Sequence, residues 1–264
     1  MICKKYIQNK CDRNPCKFKH IDNICFHFFM KGQCKYGNSC KLSHDFSYQQ
    51  KPKNTESFIP SHKPSDMRLM FSEGGNHYPY EYQSRDVIIV KNLFTETYDQ
   101  LITELKNCGT NETELFKLWH GDSHLIADDH IKEWKSKCPI FTSIIEKLKS
   151  YFNMDVKATR FNWYRNGLDW KPFHHDAAAI DPKKAKSQNM TIGISFGRSR
   201  SACFEHATTR TTIELPLENG TIYCFGSKLN MEWRHGITQL SEEERIKDDG
   251  GRISIILWGW VNEL

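Results

Sequence analysis

Six of the ten cysteines fall within the first 40 residues, in two groups of three that are each closed by a histidine. The first unit is Cys3-x7-Cys11-x4-Cys16-x3-His20, and the second is Cys25-x8-Cys34-x5-Cys40-x3-His44. So short a stretch cannot bury a core of its own and needs a cross-link or a metal to fold. Three thiolates and one imidazole suit tetrahedral zinc with no open position, which is a structural site and not a catalytic one. A disulfide-stapled mini-domain is the alternative, but the repeated order and the nearly equal gaps favour metal. The first residues lack the apolar core of a secretory signal, and no run approaches the ~18 apolar residues of a membrane span. A reducing, intracellular setting, nuclear or cytoplasmic, is therefore expected, with no membrane partner.

Charge follows the cysteines. Residues 1–50 carry nine basic against three acidic residues, whereas the remainder is nearly balanced at 28 against 29. The metal units are thus the basic end of the chain, which points to an anionic partner there.

The second unit, with Gly32-Gln33-Cys34-Lys35-Tyr36-Gly37 leading to Cys40 and His44, resembles CCCH-type zinc fingers. The first keeps Cys16-Lys17-Phe18-Lys19-His20 but has Asp12-Arg13-Asn14-Pro15 where the family pattern has Tyr-Gly. The resemblance implies binding of single-stranded nucleic acid, RNA above all. Phe18 and Tyr36 would stack on bases, with Lys35 and Lys41 on phosphates. Phe28 and Phe29 read as packing residues. Aromatics that only pack, beside lysines that only solubilise, are the plainer alternative, as is a protein-binding role.

This organisation gives finger 1 at 1–22, finger 2 at 23–46, a flexible Pro-, Gln- and Ser-containing linker at 47–66, and a domain at 67–264. With 38% hydrophobic and 12% aromatic residues, the chain has enough apolar material for that domain to bury a core. Val87–Val90 begins its strand-like material. Helices are expected from Tyr98 to about Asn107 and from Pro139 to Phe152, where Ile140, Ile144, Ile145, Leu148 and Phe152 are brought to one face. Met190–Phe196, Thr221–Phe225 and Arg252–Trp258 then alternate as strands, with turns at Glu218–Gly220 and Asp248–Gly251. Helices followed by many short strands predict a mainly β fold, with flanking helices on a barrel or jelly roll.

The segment from Asn162 to Asp176 carries the chemistry. In an extended chain His174 and Asp176 project to one face while His175 points away. With a histidine from another strand they would form the facial triad of a non-haem iron(II) oxygenase. His-x-Asp alone is a weak signal, and His120-Gly121-Asp122 is a second copy. Only the first copy has downstream company, His235-Gly236-Ile237 and then Arg252-Ile253-Ser254 seventeen residues beyond His235.

With Asn162 and Tyr164 ahead of the triad, this order resembles the AlkB-like 2-oxoglutarate- and iron-dependent dioxygenases. The resemblance implies a double-stranded β-helix (jelly-roll) core. It implies Fe(2+) held by His174, Asp176 and His235, 2-oxoglutarate held by Arg252, Ser254, Asn162 and Tyr164, and O2 as oxidant. It further implies oxidative N-demethylation of a methylated base in RNA or DNA. One departure stands out: the family's terminal Arg-x-Asn-x-x-x-Arg is here Arg252, Ser254 and Trp258. The second arginine has become an indole, either a stacking surface for a base or bulk that closes the barrel. Hydroxylation of a protein side chain on an RNA scaffold, or a non-catalytic RNA-binding module, are the other functions this pattern admits.

The remaining conspicuous residues read more plainly. The Trp119–His130 cluster is expected to be a surface or substrate-rim loop in preference to a second metal site, because exposed His/Asp groups are usually solvated. His175 should pack or hydrogen-bond behind the metal, Trp163, Trp170, Trp233 and Trp260 belong to core and rim, and Cys203 and Cys224 are buried, inert thiols.

Overall fold

The computed structural model describes residues 3–44, 67–131 and 133–262. The expected linker at 47–66 lies outside the described residues. The chain divides into two compact units, Met1–Ser65 and Asp66–Leu264. All ten cysteines are free thiols, and no helix among the described residues is long and apolar enough to cross a membrane.

The two fingers repeat one plan. Cys3 caps a short helix, Lys4–Ile7, and Cys25 caps its counterpart, Phe26–Lys31. The Cys3 amide donates to the Lys19 carbonyl (2.9 Å) and the Cys25 amide to the Ser43 carbonyl (3.0 Å), tying each unit's start to its end. Three residues after the first cysteine an aromatic ring lies flat on the closing histidine. Tyr6 stacks on His20 at 3.9 Å and 12°, and Phe28 on His44 at 4.1 Å and 6°. Tyr6 and Phe28 therefore pack the fingers, whereas Phe18 and Tyr36 are 40% and 59% exposed.

The larger unit contains, among the described residues, twelve strands: β1 (Arg68–Glu73), β2 (Asp86–Lys91), β3 (Phe116–Trp119), β4 (His124–Ala127), β5 (Asp155–Tyr164), β6 (Lys171–His174), β7 (Met190–Gly197), β8 (Arg200–His206), β9 (Thr212–Leu217), β10 (Ile222–Gly226), β11 (Trp233–Ile237) and β12 (Arg252–Trp260). They form an eight-stranded sheet, β1-β2-β10-β7-β12-β5-β4-β3, and a four-stranded sheet, β6-β11-β8-β9. β1 and β2 run parallel, and the ladders of β12 with β5 and β7 and of β11 with β6 and β8 are antiparallel. This is a double-stranded β-helix with flanking helices.

Two helices cover the outer face of the large sheet, and local signals place both. Thr97 forms a reciprocal capping box with Gln100 ahead of Tyr98–Lys106. Pro139 opens Pro139–Phe152, which Asn153 ends in the left-handed conformation at φ 48°. Their apolar faces (Leu101, Leu105, Phe141, Ile144, Leu148) join Ile192, Ile194, Ile253, Ile255 and Leu257 in one core. Each side chain so buried contributes ~1.5–3 kcal/mol, so the stability of the domain resides largely on this side. That leaves the inner face free to carry costly polar groups. On β12 the alternation is direct: Ile253, Ile255 and Leu257 face the helices, while Arg252, Ser254, Ile256 and Trp258 take the opposite face.

Candidate active site and metal centres

Three clusters of metal-ligating side chains exist among the described residues: Cys3–Cys11–Cys16–His20, Cys25–Cys34–Cys40–His44 and His174–Asp176–His235. Within each, the donor atoms lie within 4.8 Å of one another. In the first finger Cys16 Sγ is 3.8 Å from both Cys11 Sγ and Cys3 Sγ, the edge of a tetrahedron with Zn–S bonds of about 2.3 Å. The Phe28 amide lowers the Cys25 thiol to about 7, towards the thiolate that zinc requires. These donor sets fit zinc. The His120-Gly121-Asp122 copy of the iron motif belongs to none of the clusters and lies in the β3–β4 turn, with His120 at φ 46°.

The third cluster is assembled across the small sheet. His174 ends β6 and pairs directly with His235 on β11, which brings their ring centroids to 4.2 Å. Asp176 follows in extended conformation, and its Oδ1 lies 3.7 Å from Nε2 of each histidine. Surrounding groups fix these donors. His174 Nδ1 is 3.0 Å from the Pro172 carbonyl, so that nitrogen carries the proton and Nε2 is left as the ligand. Thr191 on β7 donates to Asp176 Oδ2 (2.8 Å), and the Asp176 amide donates to Asn230 Oδ1 (2.9 Å). Burial pushes the His235 imidazole down to about 4 and lowers His174 as well, holding both in the neutral, ligating form. Burial opposes the charged form of Asp176, and the Lys171 ammonium together with the Thr191 hydroxyl on Oδ2 favours it. His175 turns away, with its Nδ1 2.5 Å from the Asn230 carbonyl.

A second group of polar side chains shares the inner face of β5 and β12. The register pairs Arg252 with Tyr164, Ser254 with Asn162 and Ile256 with Arg160. Arg252 is 1% exposed and donates through Nε to Ser195 Oγ at 2.8 Å. Both of its terminal nitrogens are buried without a protein partner. A guanidinium left this way carries a desolvation cost that a bidentate carboxylate removes, so the pocket fits an organic diacid. The Tyr164 ring lies 5.0 Å below the Arg252 guanidinium. Asn162 donates to the Ser254 carbonyl at 3.3 Å, so its amide is partly engaged with the ladder.

The structure corrects the reading of Trp119–His130 as a surface or substrate-rim loop in one respect, that it is a paired hairpin and not a loop. β3 and β4 form a hairpin added to the sheet edge, with Leu125 opposite Trp163 and Ile126 opposite Asn162. That pairing turns His124 inward. It is fully buried, stacks on Tyr164 at 4.8 Å and 8°, and places Nε2 3.3 Å from Asn162 Oδ1. Burial lowers it to about 3, so it is a neutral ring at the back of the pocket. Two cations were also not legible. Lys171 is buried and pushed down to about 8 by burial, and Arg160 is half-buried on the pocket face. The period-two alternation that gives Tyr164 and Asn162 reaches Arg160 two residues earlier, and that was the available signal.

Two histidines and a carboxylate inside a double-stranded β-helix, beside a buried guanidinium that lacks an acid, define a mononuclear non-haem iron enzyme with an acidic cosubstrate. The pattern of the 2OG-Fe(II) oxygenase superfamily matches residues 41–257. The chain belongs to that superfamily and is a 2-oxoglutarate-dependent dioxygenase. Residues 24–45 match the CCCH-type zinc finger. The cofactors that follow are Fe(2+), 2-oxoglutarate and Zn(2+). No curated protein matches the chain. Among solved structures, one titled "The structure of OsALKBH1" is similar at 13% identity and a TM-score of 0.47, covering 69% of this chain and 99% of that one.

Proposed function

We propose that the enzyme oxidatively N-demethylates a methylated base in single-stranded nucleic acid, RNA in the first place, in the manner of the AlkB-like enzymes its motif order resembles. In this reading His174, Asp176 and His235 hold iron, and Arg252 receives the distal carboxylate of 2-oxoglutarate on Nη1 and Nη2. Ser254, Asn162 and Tyr164 line the same face, and His124 keeps the Tyr164 ring and the Asn162 amide in place. Iron with 2-oxoglutarate and O2 supplies oxidation of a C–H bond, and an N-methyl group hydroxylated in this way breaks down to formaldehyde and the free amine. The chain's own part is orientation: neutral imidazoles, a carboxylate fixed by Thr191 and Asn230, and a buried arginine for the acid. The fingers would hold the nucleic acid through the exposed rings of Phe18 and Tyr36, with the Lys35 ammonium 4.7 Å over the Tyr36 ring and Lys41 nearby in sequence. A reducing compartment, nuclear or cytoplasmic, suits its free thiols.

The observation that carries this reading is the metal triad facing a buried, acid-seeking arginine in a chain that also carries two zinc-type clusters. The test is formaldehyde and succinate release from methylated RNA, methylated DNA and peptide panels, with His174→Ala as the blank. Demethylated RNA as the preferred product is expected, whereas a hydroxylated peptide without formaldehyde would replace base demethylation by side-chain hydroxylation. A chain lacking residues 1–46 should show a raised apparent KM for long RNA and an unchanged one for methylated mononucleosides. Equal loss on both would refute recruitment by the fingers. Replacing His124 by Leu should raise the apparent KM for 2-oxoglutarate by about three- to tenfold, the loss of one neutral hydrogen bond and a ring stack. An unchanged KM in that variant would remove His124 from the pocket's support.

A further inference from the structure

The pocket face of β5 does not end at Asn162. It continues to Arg160, which pairs with Ile256 on β12, and Trp258 follows on the same face of that strand. The Arg160 guanidinium carbon lies 4.3 Å from the centroid of Trp119 and 5.5 Å from that of Trp258. Its Nε is buried without a protein acceptor, and so is the indole nitrogen of Trp119. The Lys171 ammonium stands 5.8 Å from the same Trp119 ring. Two carboxylates, Asp129 and Asp176, act on Arg160, and Asp176 also acts on Lys171. The rim of the metal site is therefore built from two cations and two indoles. One of those cations carries an unused hydrogen-bond donor.

This arrangement has consequences for what can enter. An indole face attracts cations, and here the guanidinium already lies over both rings. A fixed positive charge in a pocket of reduced dielectric opposes a second one, which no side-chain rotation removes while Arg160 stays stacked. An uncharged base meets no such penalty, and a ring nitrogen or carbonyl on its edge offers the acceptor that Arg160 Nε and Trp119 Nε1 lack. The family's second arginine is missing at Trp258, yet a cation reaches the pocket from the neighbouring strand.

We propose that Arg160, held by Trp119 and Trp258, is the specificity residue of the pocket: it selects uncharged methylated bases with an acceptor edge and rejects bases that methylation has made cationic. This rests on the base-demethylation reading above. It deepens that reading by naming the charge class of the substrate.

The test is binding to the full zinc-loaded chain with Mn(II) in place of iron and 2-oxoglutarate present, without oxygen. The probes are two short RNAs of one sequence, carrying either N6-methyladenine, which is neutral, or 1-methyladenine, which is cationic. Any contribution of the fingers is common to both and cancels in the ratio. The neutral probe should bind at least about tenfold more tightly. Arg160→Gln should narrow that ratio to within about threefold, chiefly by tightening the cationic probe, and Arg160→Lys should keep most of it. A rise in Tm on adding 2-oxoglutarate to each variant shows that its pocket is folded. Equal or preferred binding of 1-methyladenine by the parent overturns the proposal, as does a ratio unchanged in Arg160→Gln or no binding of either probe by the parent. Failure of the demethylase reading looks different: the neutral probe binds with the expected preference, yet iron, 2-oxoglutarate and O2 release no formaldehyde from it.

Discussion

Asp176→Ala is expected to abolish oxygenase turnover, lowering succinate formation by more than ~100-fold while leaving two zinc ions on the chain. Groups that only support a ligand cost roughly 10–100-fold in metal affinity or activity when removed, so loss of a ligand itself should exceed that range. Thr191 and Asn230 are such supports here, since they fix the Asp176 carboxylate and amide from β7 and from the segment before β11. The two remaining imidazoles face one another at 4.2 Å with no anion between them, a poor site for a hard divalent cation. Thr191→Val should fall between parent and Asp176→Ala, with iron affinity reduced about 10–100-fold. Iron content by elemental analysis and succinate by mass spectrometry check both. Succinate above one-tenth of the parent rate in Asp176→Ala would mean that iron is held elsewhere.

The legible and illegible parts of this site divide on a physical line. The zinc ligands lie within 18 or 20 residues of one another along the chain, so spacing alone conveys which side chains meet. The two long helices were likewise legible because a capping box at Thr97 and a proline at position 139 act locally. His174 and His235 are distant in sequence, and their order and neighbours pointed to a site; that they are direct ladder partners is a fact of register. The place of His124 is hidden in the sequence for the same reason. Among His120, Asp122, Asp128 and His130 it looks like one more exposed polar residue, and only the pairing of β4 with β5 buries it. β8 shows in the sequence only as the strand-like segment around Cys203, and β9 does not show, since Thr212 and Glu214 interrupt any simple apolar alternation. Trp258 was read as a lost arginine from its position on β12 alone. Arg160 sits across the ladder on β5, where a one-strand comparison does not reach.

Arg252→Met should raise the apparent Kd for 2-oxoglutarate by roughly 100- to 1,000-fold without destabilising the unliganded protein. A hydrogen bond to a charged group is worth about 1.5–3 kcal/mol, and two parallel ones from Nη1 and Nη2 give roughly 3–6 kcal/mol, the lower part of which corresponds to this factor. The same guanidinium is a liability before the acid arrives: it is 1% exposed, and Ser195 satisfies only its Nε. Methionine is apolar and of similar length, so it removes an unpaired buried charge without opening a large cavity. Ligand binding and fold stability should therefore separate. In the parent, 2-oxoglutarate at 100 times its Kd adds about 2.7 kcal/mol of stability and raises Tm accordingly. In Arg252→Met that rise should vanish at the same concentration, while the unliganded Tm stays level or increases. Arg252→Lys separates geometry from charge, because an ammonium keeps the charge but cannot present two parallel N–H groups. It should recover only part of the affinity. A variant that lost unliganded Tm and kept its response to 2-oxoglutarate would assign Arg252 to the core and move the cosubstrate elsewhere.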